Sequence, residues 1–285
     1  MRRRRIWTPG RGYLSLLILP GVFFCAFFIW PLGTVVYQGL FQPSFGLGNY
    51  ATILASTTHI RVLLFTFRLA GEVTLLCLLI GYPVAYTLSR AGDSLLRIGL
   101  AIVLIPFWTS VVIRTYAWSA LFQRHGLVND LLVQAGIVDE PVKFIYNEIG
   151  VLIGMTQILL PFMILPLLNA MRRMDGTLLR AAEVLGANPV RVFVHIYLPL
   201  SMPGVTAGVL LVFISAVGFY VTPAVLGGPQ QMMIAVLIEQ YVTRTLNWPL
   251  ASALATILLV ATTLLYFAYE RATRRVGGMF GAEAA

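Results

Sequence analysis

The feature that most constrains this chain is a set of six apolar stretches, near 13–36, 62–89, 96–121, 149–170, 203–226 and 248–269. A helix rises about 1.5 Å per residue, so roughly 20 apolar residues cross the hydrocarbon core of a bilayer. In lipid every backbone N–H and C=O must be satisfied within the chain, which makes each stretch a helix. Composition agrees, with 59% hydrophobic and 11% charged residues against roughly 25% charged in a soluble domain. The expected fold class is an all-α integral membrane protein with six transmembrane helices. A basic N-terminus (1–12) would precede a single membrane domain (13–270), and a C-terminal tail (271–285) would follow it. The N-terminal arginines before an apolar run resemble a secretory signal, but the run is long and shows no small-residue cleavage site, so it is expected to stay as the first span.

The basic residues orient these spans. With the N-terminus inside, Arg2 to Arg5, Arg11, Arg90, Arg97, Arg172, Arg173, Arg180, Arg191, Arg271, Arg274 and Arg275 all fall in cytoplasmic segments, while the other side holds Arg61, Arg124, Lys143 and Arg244. Both termini and the loop at 171–202 are therefore expected to be cytoplasmic. The net charge of +9 then reflects topology and attraction to anionic lipid, not nucleic acid. Cys25 and Cys77 lie inside apolar runs, and no disulfide is expected.

The loop at 171–202 is the longest basic interruption. Asp175, Gly176 and Thr177 can cap a first short helix ending near Gly186, and Asn188 with Pro189 opens a second. Pro199 and Pro203 are expected to limit that second helix. On the outer side, residues 41–60 are expected to form a short amphipathic lid. Residues 127–138 and 232–242 should make short helices at the surface, too short to span.

The loop, MRRMDGTLLRAAEVLGANPVRVFVHIYLPLSMPG, resembles the EAA loop of permease subunits of bacterial ABC importers. The matching positions are Ala181, Ala182, Leu185, Gly186, Ala187, Phe193, Leu198, Pro199 and Gly204, and Pro189 belongs to the same coupling loop. Arg180 stands where the motif's leading Glu would be, and the nearest carboxylate is Glu183, one turn later. Further runs, LLIGYPVAYTLSRAG, PFWTSVVIRTYAW, NEIGVLIGMTQILLPFMILPL and GFYVTPAVLGGPQQMMIAVLIEQYV, resemble the spermidine and putrescine permease subgroup. The resemblance implies an inner-membrane permease working by alternating access. Its implied partners are a cytoplasmic ATPase dimer that docks on the loop, a second permease subunit and an extracytoplasmic solute-binding protein. A polyamine is the implied solute, with an opine, an amino-acid derivative or another small solute as the alternative.

The residues themselves add constraints. There is no glycine-rich phosphate loop ending in Lys, because the only lysine is Lys143, so ATP hydrolysis is expected from a partner and no enzyme activity from this chain. His59, His125 and His195 are far apart and lack ligand spacing, and no cofactor or metal is expected. Arg114, with Trp108, Trp118, Tyr220 and Glu239, forms the candidate solute path. Two readings fit Arg114: a charge facing the path, or a snorkelling residue within an aromatic belt. Arg68 and Glu72, four residues apart, are expected to pair on one helix face. Glu239 is either an attraction point for a cation or a solvated loop charge. Gly150 with Gly154, and Gly204 with Gly208, should let helices approach closely. An ATP-independent secondary transporter and a membrane scaffold are the readings from other classes.

Overall fold

The computed structural model describes residues 11–42 and 45–281; Arg2 to Arg5 lie outside them. Among the described residues the chain is helical, with no strand. The helices are α1 (residues 11–41), α2 (Gly48–Ala55), α3 (Thr57–Arg90), α4 (Asp93–Leu104) and α5 (Val111–Leu121). They continue as α6 (Leu127–Gln134), α7 (Glu148–Arg172), α8 (Gly176–Val184), α9 (Pro189–Val217), α10 (Val221–Leu226), α11 (Ile234–Thr243) and α12 (Trp248–Gly281). Five of them, α1, α3, α7, α9 and α12, are long and apolar enough to cross a membrane singly, and α4 with α5 makes a sixth if that bent pair is one span.

Two compact units divide the chain, residues 1–56 with 238–259, and residues 57–237 with 260–285. In the first unit, α1 exposes its apolar side chains from Ile18 to Trp30, as a helix against lipid would. Its end is fixed by Asn49, whose Nδ2 donates to the carbonyls of Gly39 (3.0 Å) and Gln42 (2.7 Å). The start of α12 approaches there, since a Cβ on Gly39 would lie 3.1 Å from the Ala253 nitrogen. Ser252 also donates to Gln38 Oε1 at 3.1 Å.

The second unit is built on α3, α7 and α9, which bury Leu69, Met155, Leu159, Met163, Ile164, Leu167 and Val212 between them. Lipid tails are as apolar as leucine, so burial alone gives these helices little reason to associate, and close van der Waals packing must supply it. Glycine supplies the proximity. A Cβ on Gly204 would sit 2.6 Å from the Ala170 Cβ and 2.9 Å from the Pro166 carbonyl, and one on Gly208 would be 2.7 Å from Met163 Sδ. On α3, a Cβ on Gly81 would likewise lie 3.1 Å from Met163 Cγ. Gly150 and Gly154 admit the Phe144 carbonyl, Thr222 and Leu226 in the same way.

Two features depart from the sequence reading. The stretch expected as one straight third span bends by 96° between residues 93–108 and 111–121. Pro106 is the second residue of a 3-10 turn, Ile105–Trp108, and Thr109 is extended with Ser110 outside any helix, which stops one helical ladder and begins another. Second, Pro199 and Pro203 do not limit the loop's second helix. That helix runs unbroken from Pro189 to Val217, so the fifth span begins before Pro203 and ends well before 226.

At Pro199 the reason is a π-turn over Phe193–Tyr197, where the Leu198 N–H reaches back five residues to the Phe193 carbonyl, while Pro203 is carried inside the regular helix that follows. The wider turn opens space beneath the Pro199 ring, which in a regular helix would strike the carbonyl four residues back. The same device recurs in α1, where a π-turn over Cys25–Ile29 comes just before Pro31 and the Trp30 N–H bonds to the Cys25 carbonyl. The C-terminal helix also runs past the expected tail boundary, to Gly281.

Gly204→Ala should lower the stability of the detergent-solubilised protein by about 1–3 kcal/mol through overpacking against α7 backbone. Gly71→Ala, where a Cβ meets nothing within 4 Å, should be neutral or stabilising by up to about 1 kcal/mol. Thermal unfolding of the two variants side by side checks this.

Candidate functional site

The loop between α7 and α9 is a short helix held by caps at both ends. Asp175 Oδ1 accepts the Thr177 N–H at 2.9 Å and caps α8, and Thr177 holds that carboxyl below its ordinary range. Such a contribution is present at neutral pH and is lost as the pH falls through the lowered value. At the other end Gly186 adopts φ +83°. The Leu185 N–H bonds to Ala181 and the Ala187 N–H to Ala182, five residues back. This is a Schellman-type stop, which a Cβ-bearing residue enters only at a cost. Asn188 follows at once as the N-cap of α9, its Oδ1 accepting the Arg191 N–H at 2.8 Å.

Between these caps lies an exposed apolar surface. Val184 and Leu185 are 87% and 86% exposed, and Leu178 and Val190 are exposed beside them. Ala181 is exposed, and Ala182 and Ala187 are partly covered. The side chains of Arg180 and Glu183 are outside what the structure describes. A Cβ on Gly186 would meet nothing within 4 Å, so within this chain the residue is required by backbone conformation and not by crowding.

The loop is joined to the spans by a cluster that sequence reasoning missed. Its helix α8 packs on the π-turn of α9, and that turn meets the last two turns of α3. Tyr197 and Ser89 are 2.8 Å apart through their hydroxyls, and Tyr82 and Ser201 are 2.9 Å apart. Phe193 lies edge-on to Tyr82 and Tyr86 at 6.1 and 5.6 Å, and Tyr86 is edge-on to Tyr197 at 4.9 Å. The Arg90 guanidinium caps the group, 4.8 Å from the Tyr86 ring and 5.6 Å from that of Tyr197. The signal available in the sequence was the spacing of Tyr82, Tyr86 and Ser89 on one face of α3, read there only as part of a span.

The candidate path residues are dispersed. Trp108 is 87% exposed on the far side of the 96° bend from Arg114. Arg114 and Trp118 share α5, and Trp118 Nε1 donates to Gln157 of α7 at 3.3 Å while stacking on buried Phe122 at 4.8 Å. Arg114 buries Nε and Nη1 with no acceptor among the described residues. Its neighbour Thr115 touches Thr222 of α10 at 3.1 Å, which holds α5 and α10 together two residues from Tyr220. Glu239 accepts from Thr243, one turn along the same helix, at 2.9 Å.

Arg68, in contrast, is neutralised twice. Its Nε lies 3.5 Å from Glu72, as the spacing suggested, and its Nη2 hydrogen-bonds Glu148 at the start of α7.

Gly186→Val should unwind the end of α8. Amide hydrogen exchange at Leu185 and Ala187 should accelerate by about tenfold or more, the equivalent of the 1–2 kcal/mol cost of a left-handed residue with a Cβ. Asn188→Ala should act in the same direction at Arg191 and cost about 1 kcal/mol.

Comparison with known proteins completes the assignment. The family model of the binding-protein-dependent transport system inner membrane component matches residues 77–278. The spermidine/putrescine transport system permease protein PotB of Haemophilus influenzae is 36% identical over 248 residues, 87% of this chain and 82% of that protein. PotB of Escherichia coli is 34% identical over 81% of this chain and 83% of that protein. Among solved structures, a chain of a bacterial alginate ABC transporter, in complex with an alginate pentasaccharide-bound periplasmic protein, superposes with a TM-score of 0.74. It is 20% identical, covering 93% of this chain and 95% of that one, so it bears on the fold alone. An all-helical membrane chain with this loop and these relatives belongs to the family of binding-protein-dependent transport system inner membrane components.

Proposed function

We propose that this chain is the permease subunit of an ATP-driven importer, forming half of the path for a polyamine such as spermidine or putrescine. The observation that carries the reading is the 36% identity to a spermidine/putrescine permease across 87% of the chain. The loop geometry supports a partner. A capped helix presenting Val184 and Leu185 outside the apolar spans is a small, rigid knob, and burying such side chains in a protein groove yields about 1.5–3 kcal/mol each. The partner this knob fits is a cytoplasmic ATPase dimer, with residues 171–202 as the coupling loop. Both termini and that loop lie inside in this reading, because the arginines of the segments between spans fall on one side. A second permease subunit completes the path and an outer solute-binding protein delivers the solute.

Arg114, Trp108, Trp118, Tyr220 and Glu239 remain the residues proposed for the path. A second reading, a solute carrying an acidic group as well as an amine, such as an opine or amino-acid derivative, is favoured by the two buried Arg114 donors that lack an acceptor among the described residues.

Purification of the intact complex from its native membrane should bring down an ATPase and a second permease. The accompanying binding protein should be stabilised against heat by spermidine or putrescine; stabilisation by opines instead favours the second reading. Recovery of an intact permease with no ATPase would reverse the coupling assignment and favour an ATP-independent transporter. Leu185→Asp should abolish ATPase association while leaving membrane insertion normal. Arg114→Ala should change uptake kinetics without loss of assembly, and unchanged kinetics would return Arg114 to the aromatic belt.

A further inference from the structure

The Tyr–Ser contacts between α3 and α9 form a reciprocal pair once their protons are counted. A serine hydroxyl has one proton. Ser89 Oγ donates its proton to the Tyr86 carbonyl at 2.7 Å, so in the 2.8 Å contact with Tyr197 the tyrosine must be the donor. Ser201 Oγ likewise donates to the Leu198 carbonyl at 2.8 Å, so Tyr82 is the donor at 2.9 Å. Each helix therefore gives a tyrosine O–H to a serine of the other, and each serine passes its own proton to its own backbone. Tyr82 and Ser89 are two turns apart on α3, and their partners Ser201 and Tyr197 follow in reverse order one turn apart on α9. Displacement of either helix by one turn breaks both contacts. Tyr197 and Ser201 are buried, so water does not replace what is lost.

The other face of α9 is different. It meets α7 through Gly204 and Gly208 against Ala170, Pro166, Leu167 and Met163, and among the described residues no side-chain hydrogen bond joins α9 to α7. Apolar contact over glycine has no hydrogen bond to break, so small displacements cost less there than at paired hydrogen bonds, which fix distance and register together. The α8 helix, for its part, passes into α9 through only residues 185–188, fixed by the Gly186 stop and the Asn188 cap.

We propose that the Tyr82–Ser201 and Tyr197–Ser89 clasp locks α9 to α3, so that a displacement of α8 carries α9 and the adjoining end of α3 as one body over the glycine contacts with α7. Tyr82, Ser89, Tyr197 and Ser201 are then positioning residues for transport, acting through the loop and not through contact with solute. Arg90 holds the two aromatic rings together at the exposed end. The inference rests on the docking of an ATPase at α8.

The test uses the complete importer in proteoliposomes with spermidine as probe, comparing the wild type with the doubly substituted chain Tyr82→Phe and Tyr197→Phe, which removes only two hydroxyls. Assembly and ATP hydrolysis should persist, while spermidine taken up per ATP should fall by about tenfold or more, the scale of two lost buried hydrogen bonds. Ser89→Thr, which keeps the hydroxyl, should retain the wild-type ratio. A readout independent of solute comes from spin labels at Ala91 and Thr177. Their separation should be the same in the nucleotide-free and ATP-bound wild type, and should change with ATP in the double variant. A separation that shifts with ATP in the wild type, an unchanged uptake ratio, or uptake that falls only in proportion to lost assembly would each overturn the clasp. Absence of any ATPase bound to the wild-type chain would instead overturn the docking reading beneath it.

Discussion

The close approach of α9 to α7 at Gly204 and Gly208 is the contact on which the second unit depends. In a bilayer, apolar side chains gain nothing by leaving lipid for protein, so association rests on fit. With a Cβ that would stand 2.6 Å from Ala170, Gly204 lets α9 lie against the α7 backbone. The helix so placed is the one that emerges from the loop. Its position then decides where Phe193, Tyr197 and Ser201 can meet α3.

A second constraint is the placement of proline beside π-turns. Pro31 and Pro199 each stand inside a long apolar helix that continues through them, and each is preceded by a π-turn. The local widening satisfies the backbone while sparing the helix a break. In α9 the consequence is continuity from its Asn188 cap into the span, so the turn that follows the exposed apolar knob leads into the membrane domain without a break at Pro199. A break there would have introduced a flexible joint.

Much of this architecture was legible in the chain. The long apolar runs, the capping residues Asp175 and Asn188, the stop at Gly186, the close-packing glycines and the Arg68–Glu72 pair all follow from local chemistry and spacing. The resemblance of the loop and of the YVTPAVLGGP run located the family before any coordinates. What failed did so for a physical reason. A proline in a sequence reads as a helix end, yet the preceding π-turn accommodates Pro199, and Pro203 stands inside the continuous helix beyond it. The 96° bend near Thr109 and Ser110 was likewise hidden, because apolar composition counts length and not direction. The candidate path was the least legible part, since which side chains share a surface depends on helix rotation.

The sequence by itself determined the fold class, a multi-pass helical membrane protein, because backbone satisfaction in lipid and apolar length leave no other solution, and the resemblance of its loop and later runs pointed to the permease family. It also determined the loop's caps, which depend on residues three or four apart. Only the tertiary structure decided that Arg68 is shared between Glu72 and Glu148, that two donors of Arg114 are buried without an acceptor among the described residues, and that Tyr82, Ser89, Tyr197 and Ser201 exchange hydroxyl contacts. Arg68 and Glu148, and the tyrosine–serine partners, are separated by 80 to 119 positions in the chain, and nothing in local periodicity specifies which face of one helix will turn toward another. Close packing over glycine does, because only one rotation of α9 brings its small residues against α7.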